Sequence, residues 1–533
     1  MLANVVGSYL DSLEEREFDA PFMALLRAQG FWDIHLLHGP FEFGKDFIAK
    51  GNYEGTLSQF AFQTKAGDIS LSEWSACRGQ IDNLRTNSLA HPNFDRQLPR
   101  QAVFVTTGRL VGGAALAAQD YAGHLEKLGE TGFITWDKEE LVDLITASPG
   151  IALTGDSHGA LLTLLGTIDQ KRVYELEIEG FSRRWLSWGN PLPLYKSALE
   201  AAVVANRLRR NERLDLACFA GLCLIRASWA STHGTEPPDI GSTVVADTGR
   251  SLFLHYASDL FSRCAENTFD PATLIQNHEP SAAHITYPIR SLRLVEIIGL
   301  LGLLDAEQRK LSRRKLVDFL LRFFQANPGT SHPISDRGAV SLIPPLLLLV
   351  KAGYRAEVRG ILENVIRWIC DRYESGALGL ADSQARPHKE VAYLFGDAFE
   401  HITLPRRSAS YTATVVLDLA SVFEMKALFE LAINDFLAVH AVLPVVEVGD
   451  VSSQYVLGGE EIRYEPNIHY PLTWTPTDGW KVAPHHKRAP SAYYLQRIDR
   501  PWDHLAVTAV LRDRHFLPTC RKFLEGPPEQ RPI

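Results

Sequence analysis

The 533 residues show no uninterrupted apolar run of the length a bilayer-spanning helix needs. The two longest, Leu294 to Leu304 and Ser341 to Val350, are interrupted by a glutamate and by two prolines, and both fall short of the roughly 18 to 20 residues a spanning helix needs. No membrane association is expected. Met1 to Glu17 lacks a basic segment ahead of an apolar one, so no secretory signal is predicted. The six cysteines (Cys77, Cys218, Cys223, Cys264, Cys370, Cys520) are scattered without a Cys-x-x-Cys pair. That pattern speaks for buried thiols in a reducing compartment, and the expected location is cytoplasmic. Positive charge is short as well: 54 Lys+Arg stand against 63 Asp+Glu. The deficit is concentrated, since Met1 to Gly150 carries 12 basic and 20 acidic residues and the remainder 42 and 43. A surface that coats nucleic acid non-specifically is basic, so any phosphate site here has to be local. A Gly-x-x-x-x-Gly-Lys-Ser/Thr loop is missing, so an ATP-driven step would come from a partner. His-Glu-x-x-His and Cys/His metal spacings are missing too, and His469, His485, His486, His504 and His515 read as surface or packing residues.

What is present is the composition of a folded protein, 46% hydrophobic with 22% charged and 10% aromatic residues, at a length that predicts several packed units. The first 146 residues alternate helix and strand. Phe18, Phe22, Leu25 and Leu26 recur at helical spacing and stop at Gln29-Gly30. Ile34 to Leu37, Asp46 to Lys50 and Leu57 to Lys65 read as strands, the last two joined by a turn at Gly51 to Gly55. Leu71 to Arg85 reads as helix, Ala102 to Thr107 as buried strand, Gly112 to Leu128 as helix, Phe133 to Trp136 as strand and Lys138 to Ala147 as helix. The expected order is αβββαβαβα, an α/β domain over residues 1–148.

Ser148-Pro149-Gly150 and Gly155 to Gly159 have loop texture, so residues 149–190 are expected to be a connecting segment. A large mainly α-helical region follows over residues 191–447, with helices predicted at Leu194 to Arg210, Leu214 to Ser231, Ser251 to Asn267, Ser291 to Leu304, Ala306 to Gln325, Leu342 to Lys351, Glu357 to Tyr373 and Tyr411 to Leu443. Residues 448–533, rich in Pro, Trp, Tyr and His, are expected to form an irregular segment packed on the helices, with a helix near Pro501 to Arg512.

The chemistry-bearing stretch is Phe43-Gly44-Lys45-Asp46-Phe47-Ile48-Ala49, followed on the next strand by Phe62-Gln63-Thr64-Lys65. Strand alternation puts Gln59, Ala61, Gln63 and Lys65 on one face. A carboxylate starting one strand of a hairpin and a Gln/Lys pair ending its neighbour converge on one point. Phosphodiester hydrolysis needs an oxygen ligand for a hard cation, a positive charge near the phosphate and an activated water. Asp46 supplies the first, the Gln63 amide oxygen adds a neutral ligand, and Lys65 orients water or offsets charge. An Asp after glycine is also a common turn residue, and a strand-end Lys a common edge charge. Their joint occurrence in one hairpin favours a site.

These motifs resemble the Mrr-like branch of the PD-(D/E)xK restriction endonuclease superfamily. Phe18-Asp19 stands where that family has Phe-Glu, Leu25-Leu26-Arg27-Ala28-Gln29-Gly30-Phe31 matches its helix end, Gly44-Lys45-Asp46 its strand start and Gln63-Thr64-Lys65 its Gln-x-Lys. Val103 to Gly108, followed by an alanine-rich helix, is similar as well. The resemblance covers about residues 1–146 and implies a restriction-endonuclease-like fold. It also implies Mg²⁺- or Mn²⁺-dependent endonuclease activity on DNA, catalytic Asp46, Gln63, Lys65 and Asp19, and metal ligands Asp46, Gln63 and Asp19. Prokaryotic antiviral defence is the implied setting. Two departures stand out: Asp19 is one methylene shorter than the family's glutamate, so it is a metal ligand or only a helix N-cap, with Glu17 or Glu15 as replacements, and Glu42 occupies a loop usually built of small residues, as a further ligand or a solvated carboxylate.

Trp74, Arg78 and Gln80 face either DNA or, respectively for the first two, the core and solvent. Arg207 to Arg210, Arg313 to Lys315 and His485 to Arg488 are basic clusters that either track phosphate or sit as solvated helix ends. The helical region is expected to be a recognition or regulatory module, contacting a partner protein, a nucleic acid or a signal. Two-strand cleavage suggests a homodimer or larger assembly. The competing readings are a non-catalytic sensor or scaffold that keeps a nuclease fold, and an RNA nuclease on the same fold.

Overall fold

The structure is a computed structural model that describes residues 2–11, 13, 15–37, 45–88, 91–147, 158–186, 194–231, 240–267, 283–304, 311–383, 385–396, 404–444, 474, 500–512 and 517–525. The chain divides into two compact units, Met1–Val173 with Ser187–Arg207, and Tyr174–Leu186 with Leu208–Ile533.

In the first unit, helices α1 (Leu2–Asp11) and α2 (Glu15–Ala28) precede strands β1 (Trp32–Leu36), β2 (Phe47–Tyr53) and β3 (Thr56–Lys65). Helix α3 (Leu71–Thr86), strand β4 (Arg100–Thr106), helix α4 (Ala114–Lys127), strand β5 (Phe133–Trp136) and helix α5 (Lys138–Ala147) follow. The five strands lie in chain order, β1, β2 and β3 antiparallel and β3, β4 and β5 parallel. The result is a mixed five-stranded sheet with helices. Its β2–β3 hairpin is tighter than the sequence suggested: Gly51 to Tyr53 belong to β2, and only Glu54 and Gly55, both at positive φ (49° and 79°), make the turn. Two successive positive φ values define the two-residue turn whose twist matches antiparallel strands.

Alternation along β3 sorts its side chains by face. Phe62 and its β2 neighbour Phe47 meet Phe22 of α2 at ring-centroid distances of 5.4 and 5.2 Å, so α2 packs on that face. On the other face Ala61 and Ala102 pack with Leu84 of α3, and Phe104 joins Trp74, Cys77, Ile81, Ala114 and Ala118 in a core that α3 and α4 share. Helix α3 is well started, because Ser70 and Glu73 form a reciprocal capping box. Trp74 is therefore a core residue, 6.0 Å from the Phe104 ring.

Helices α6 (His158–Asp169) and α7 (Glu175–Ser182) lie within the stretch expected to be a connecting segment. The glycines before them masked a leucine-rich helical pattern. Next come α8 (Leu194–Arg210), α9 (Leu214–Ser231), α10 (Ile240–Asn267), α11 (Ala283–Leu303), α12 (Arg313–Ala326), α13 (Ile343–Lys351), α14 (Arg355–Tyr373), α15 (Pro387–Phe395), α16 (Tyr411–Val422), α17 (Lys426–Ala438), α18 (Pro501–Leu511) and α19 (Leu517–Leu524). The chain beyond the sheet, including the whole second unit, is thus mainly helical. The single helix expected from Tyr411 to Leu443 is broken at Glu424, whose φ is +55°. By length and composition α9 could cross a membrane, but 83% of its apolar window is buried inside the unit. Most of residues 448–499, including His469 and the basic stretch at 485–488, lies outside the described residues.

Buried charge ties this unit together. Glu296 on α11 accepts from Arg512 at 2.8 Å and Arg293 at 2.5 Å, while Glu175 on α7 pairs with Arg512 at 3.0 Å and Arg293 at 3.1 Å. Burial alone would push the Glu175 carboxyl up, yet Arg293, Arg512 and Arg337 outweigh it and hold it well below the usual carboxylate range.

Candidate active site in the first unit

The β2–β3 register pairs Phe47 with Phe62 and Ile48 with Ala61, and the Asp46 N–H donates to the Phe62 carbonyl at 2.8 Å. Asp46 therefore extends the antiparallel ladder and stands beside Gln63. Opposed residues of such a pair share a face, so Asp46, Gln63 and Lys65 are all on the α3 side of the sheet. Their side chains meet: Asp46 Oδ2 accepts from Gln63 Nε2 at 2.7 Å, from the Thr64 N–H at 2.6 Å and from Thr64 Oγ1 at 3.0 Å. The carboxylate is thereby fixed by three donors at the end of β3. Asp46 and Lys65 are part-buried, and Gln63 is buried.

The amide of Gln63 is oriented by this contact, because its NH₂ must face the carboxylate and its carbonyl must turn away. That carbonyl oxygen, Oε1, is buried with no hydrogen-bond partner among the described residues. A buried amide oxygen without a donor is uncommon and costs free energy unless something polar reaches it. A carboxylate and a neutral amide oxygen on adjacent strands are hard oxygen donors of the kind Mg²⁺ and Mn²⁺ take, with water filling the remaining positions. Asp46 and Gln63 are thus of the right chemistry for a divalent cation, but joint ligation needs the Gln63 amide to turn so that Oε1 in place of Nε2 faces Asp46. Among the described residues no group of three or more His, Cys, Asp or Glu side chains is close enough to hold a metal.

The loop after Lys65 is held rigidly. Thr106 Oγ1 donates to the Gly67 carbonyl at 2.7 Å, the Gly67 N–H donates to Thr107 Oγ1 at 2.9 Å, and the Ile69 N–H donates to the Arg109 carbonyl at 2.8 Å. A side chain at Gly108 would place its Cβ 2.2 Å from the Gly67 carbonyl carbon, so the two loops approach this closely only because position 108 is glycine. Lys65 is thus carried on a strand whose exit has little freedom.

Asp19 is placed differently from its neighbours. It lies inside α2, which begins at Glu15, so it is not the N-cap; Pro21 sits in the second turn rather than the first. Helix α2 packs through Phe22 on the face of Phe47 and Phe62. Glu17 is exposed, the Glu15 side chain is outside the described set, and Glu42 lies in the undescribed stretch 38–44. Arg78 stacks over the Tyr121 ring at 4.9 Å on the outer surface of α3, and Gln80 is part-buried there.

Lys45, in the Gly44-Lys45-Asp46 strand start, is wholly buried and donates through Nζ to the Asn83 carbonyl at 3.0 Å. Burial, with the Arg100 guanidinium nearby, pulls its ammonium down to about 8. Nothing in the local pattern announced this, because the acceptor is a main-chain carbonyl 38 residues away.

The chain matches no family model, no curated protein and no solved structure.

Proposed function

We propose that the first unit is a metal-dependent DNA endonuclease of the restriction-endonuclease-like, Mrr-like type, a cytoplasmic effector of prokaryotic defence gated by the helical region. The observation that carries this reading is the joined Asp46–Gln63 pair beside Lys65, with a buried amide oxygen that has no hydrogen-bond partner among the described residues. Asp46 and Gln63 would hold Mg²⁺ or Mn²⁺, which when bound supplies Lewis-acid stabilisation of the phosphate oxygens. Lys65 places an ammonium beside the scissile phosphate, offsetting charge that grows in the transition state. Asp19 is the weakest member of the set, because it is one methylene shorter than the family's glutamate. An acidic first unit gains little from non-specific phosphate attraction, so recruitment of DNA falls to the helical region, to a second copy or to a partner protein.

A non-catalytic sensor built on the same scaffold is the reading favoured by the lack of a three-group metal cluster among the described residues. One experiment separates the two. Purified protein is incubated with supercoiled plasmid, linear DNA and RNA in Mg²⁺, Mn²⁺ or chelator, alongside Lys65→Ala protein prepared identically. Metal-dependent cleavage of DNA by the parent alone supports the endonuclease. Cleavage of RNA only would move the substrate class, and equal cleavage by both preparations would identify a contaminant.

A further inference from the structure

Strand β1 carries a polar cluster that the proposed hydrolytic chemistry does not use. Asp33 adopts φ +54°, a left-handed conformation uncommon outside glycine. Its carboxylate gathers three donors: Oδ2 takes Lys50 Nζ at 2.7 Å, and Oδ1 takes Asn93 Nδ2 at 2.6 Å and His35 Nε2 at 2.9 Å. Those three partners hold the Asp33 carboxyl well below the usual range. A carboxylate only accepts, so the His35 proton resides on Nε2 and Nδ1 lies on the ring edge away from Asp33. The His91 ring packs on that of His35 with centroids 5.0 Å apart, and its Nδ1 accepts from the Asn93 N–H at 3.2 Å, leaving the proton on Nε2. Lys50 balances the Asp33 charge. The His35 side chain remains 34% exposed. Backbone strain held in place by converging polar groups is a pattern of functional sites rather than of simple packing.

The register fixes where this cluster lies. His35 pairs with Ile48, and two residues further along β1 the Leu37 N–H donates to the Asp46 carbonyl at 2.8 Å. His35 therefore shares the α3-side face with Asp46 and Gln63. At about 3.3 Å per residue along a strand and about 4.8 Å between strands, its Cα is about 8 Å from that of Asp46. Successive phosphates of a nucleic-acid strand are about 6–7 Å apart, farther than the 3.4 Å axial rise, so that distance is about one phosphate step.

We infer that His35 and His91 form a phosphate-binding subsite for the substrate strand, taking the backbone phosphate next to the one at Asp46, Gln63 and Lys65. This rests on the nuclease reading above. His91 Nε2–H donates to a phosphate oxygen, and the His35 ring packed against it fixes that ring's position. Asp33, Lys50 and Asn93 position the two rings.

The test is binding, read apart from cleavage. Fluorescence anisotropy with a labelled 20-base-pair duplex, on the Lys65→Ala background at pH 6.5 in Mg²⁺, compares His35→Gln, His91→Gln and the double variant across salt concentrations. Each single change is expected to weaken binding about three- to tenfold and the double variant further, with thermal melting unchanged. Should His35→Gln melt early, His91→Gln decides, because residue 91 is outside the sheet. Parent-level affinity in the double variant would overturn the inference, as would a background protein that binds no DNA. Histidine-dependent binding by an unmutated protein that cuts nothing would uphold the subsite and sink the hydrolytic reading; cleavage with histidine-independent binding would do the reverse.

Discussion

Replacing Asp46 with asparagine separates what its carboxylate does for the fold from what it does for chemistry. Asparagine has the same shape and keeps one oxygen able to accept from Gln63 Nε2, the Thr64 N–H and Thr64 Oγ1, which lie 2.7, 2.6 and 3.0 Å from Oδ2. Hydrogen bonds to a charged acceptor contribute about 1.5–3 kcal/mol and neutral ones about 0.5–1.5. The part-buried setting keeps the difference at the low end, so Asp46→Asn should lose only about 1–2 kcal/mol of stability, a shift of a few degrees in Tm. Catalysis should suffer far more. Without the anionic ligand the cation is held by one neutral oxygen, and loss of one preorganised electrostatic group already costs about 3–4 kcal/mol, a factor of about a hundred to a thousand. The assay is the initial rate of plasmid nicking in Mg²⁺, paired with thermal melting. Cleavage within tenfold of the parent would refute the ligand role. A stability loss above about 5 kcal/mol would instead mark Asp46 as a structural keystone of the hairpin.

Lys65→Ala should lower metal-dependent cleavage by at least about a hundredfold, and partial activity in Lys65→Arg, measured in the same nicking assay, would assign the lysine to electrostatics rather than proton transfer. Asp19→Asn should leave the melting temperature nearly unchanged and, given its shorter side chain than the family's glutamate, reduce cleavage less than Asp46→Asn does; complete loss would restore it as a metal ligand. Glu175→Gln should destabilise the helical unit by about 3–5 kcal/mol at pH 7 in a denaturant titration, because it leaves buried arginines undercompensated. Since the folded Glu175 carboxyl is held below its unfolded value, its stabilisation is present at neutral pH and is lost as pH falls below about 4.5. The parent should therefore lose stability on acidification that the glutamine variant does not.

The local pattern alone determined the hairpin, the α3 and α4 crossovers and the alternation that gives Gln63 and Lys65 one face, because strand alternation and helical periodicity are properties of near neighbours. It underestimated the ends of elements: α1, α6 and α7 were not foreseen, and the Tyr411 to Leu443 helix was not seen to break at Glu424. What only the tertiary structure decided are the contacts between residues far apart in sequence. Asp33 and Asn93 meet across 60 residues, Lys45 and the Asn83 carbonyl across 38, and Glu296 and Arg512 across 216. It also placed α2 on the sheet face of Phe47 and Phe62, although a Phe-Asp pair at the head of a helix reads the same whichever face that helix covers. Which face a helix covers is set by how the apolar stripes of all neighbouring elements are buried together, and a single stretch of sequence carries only one of those stripes.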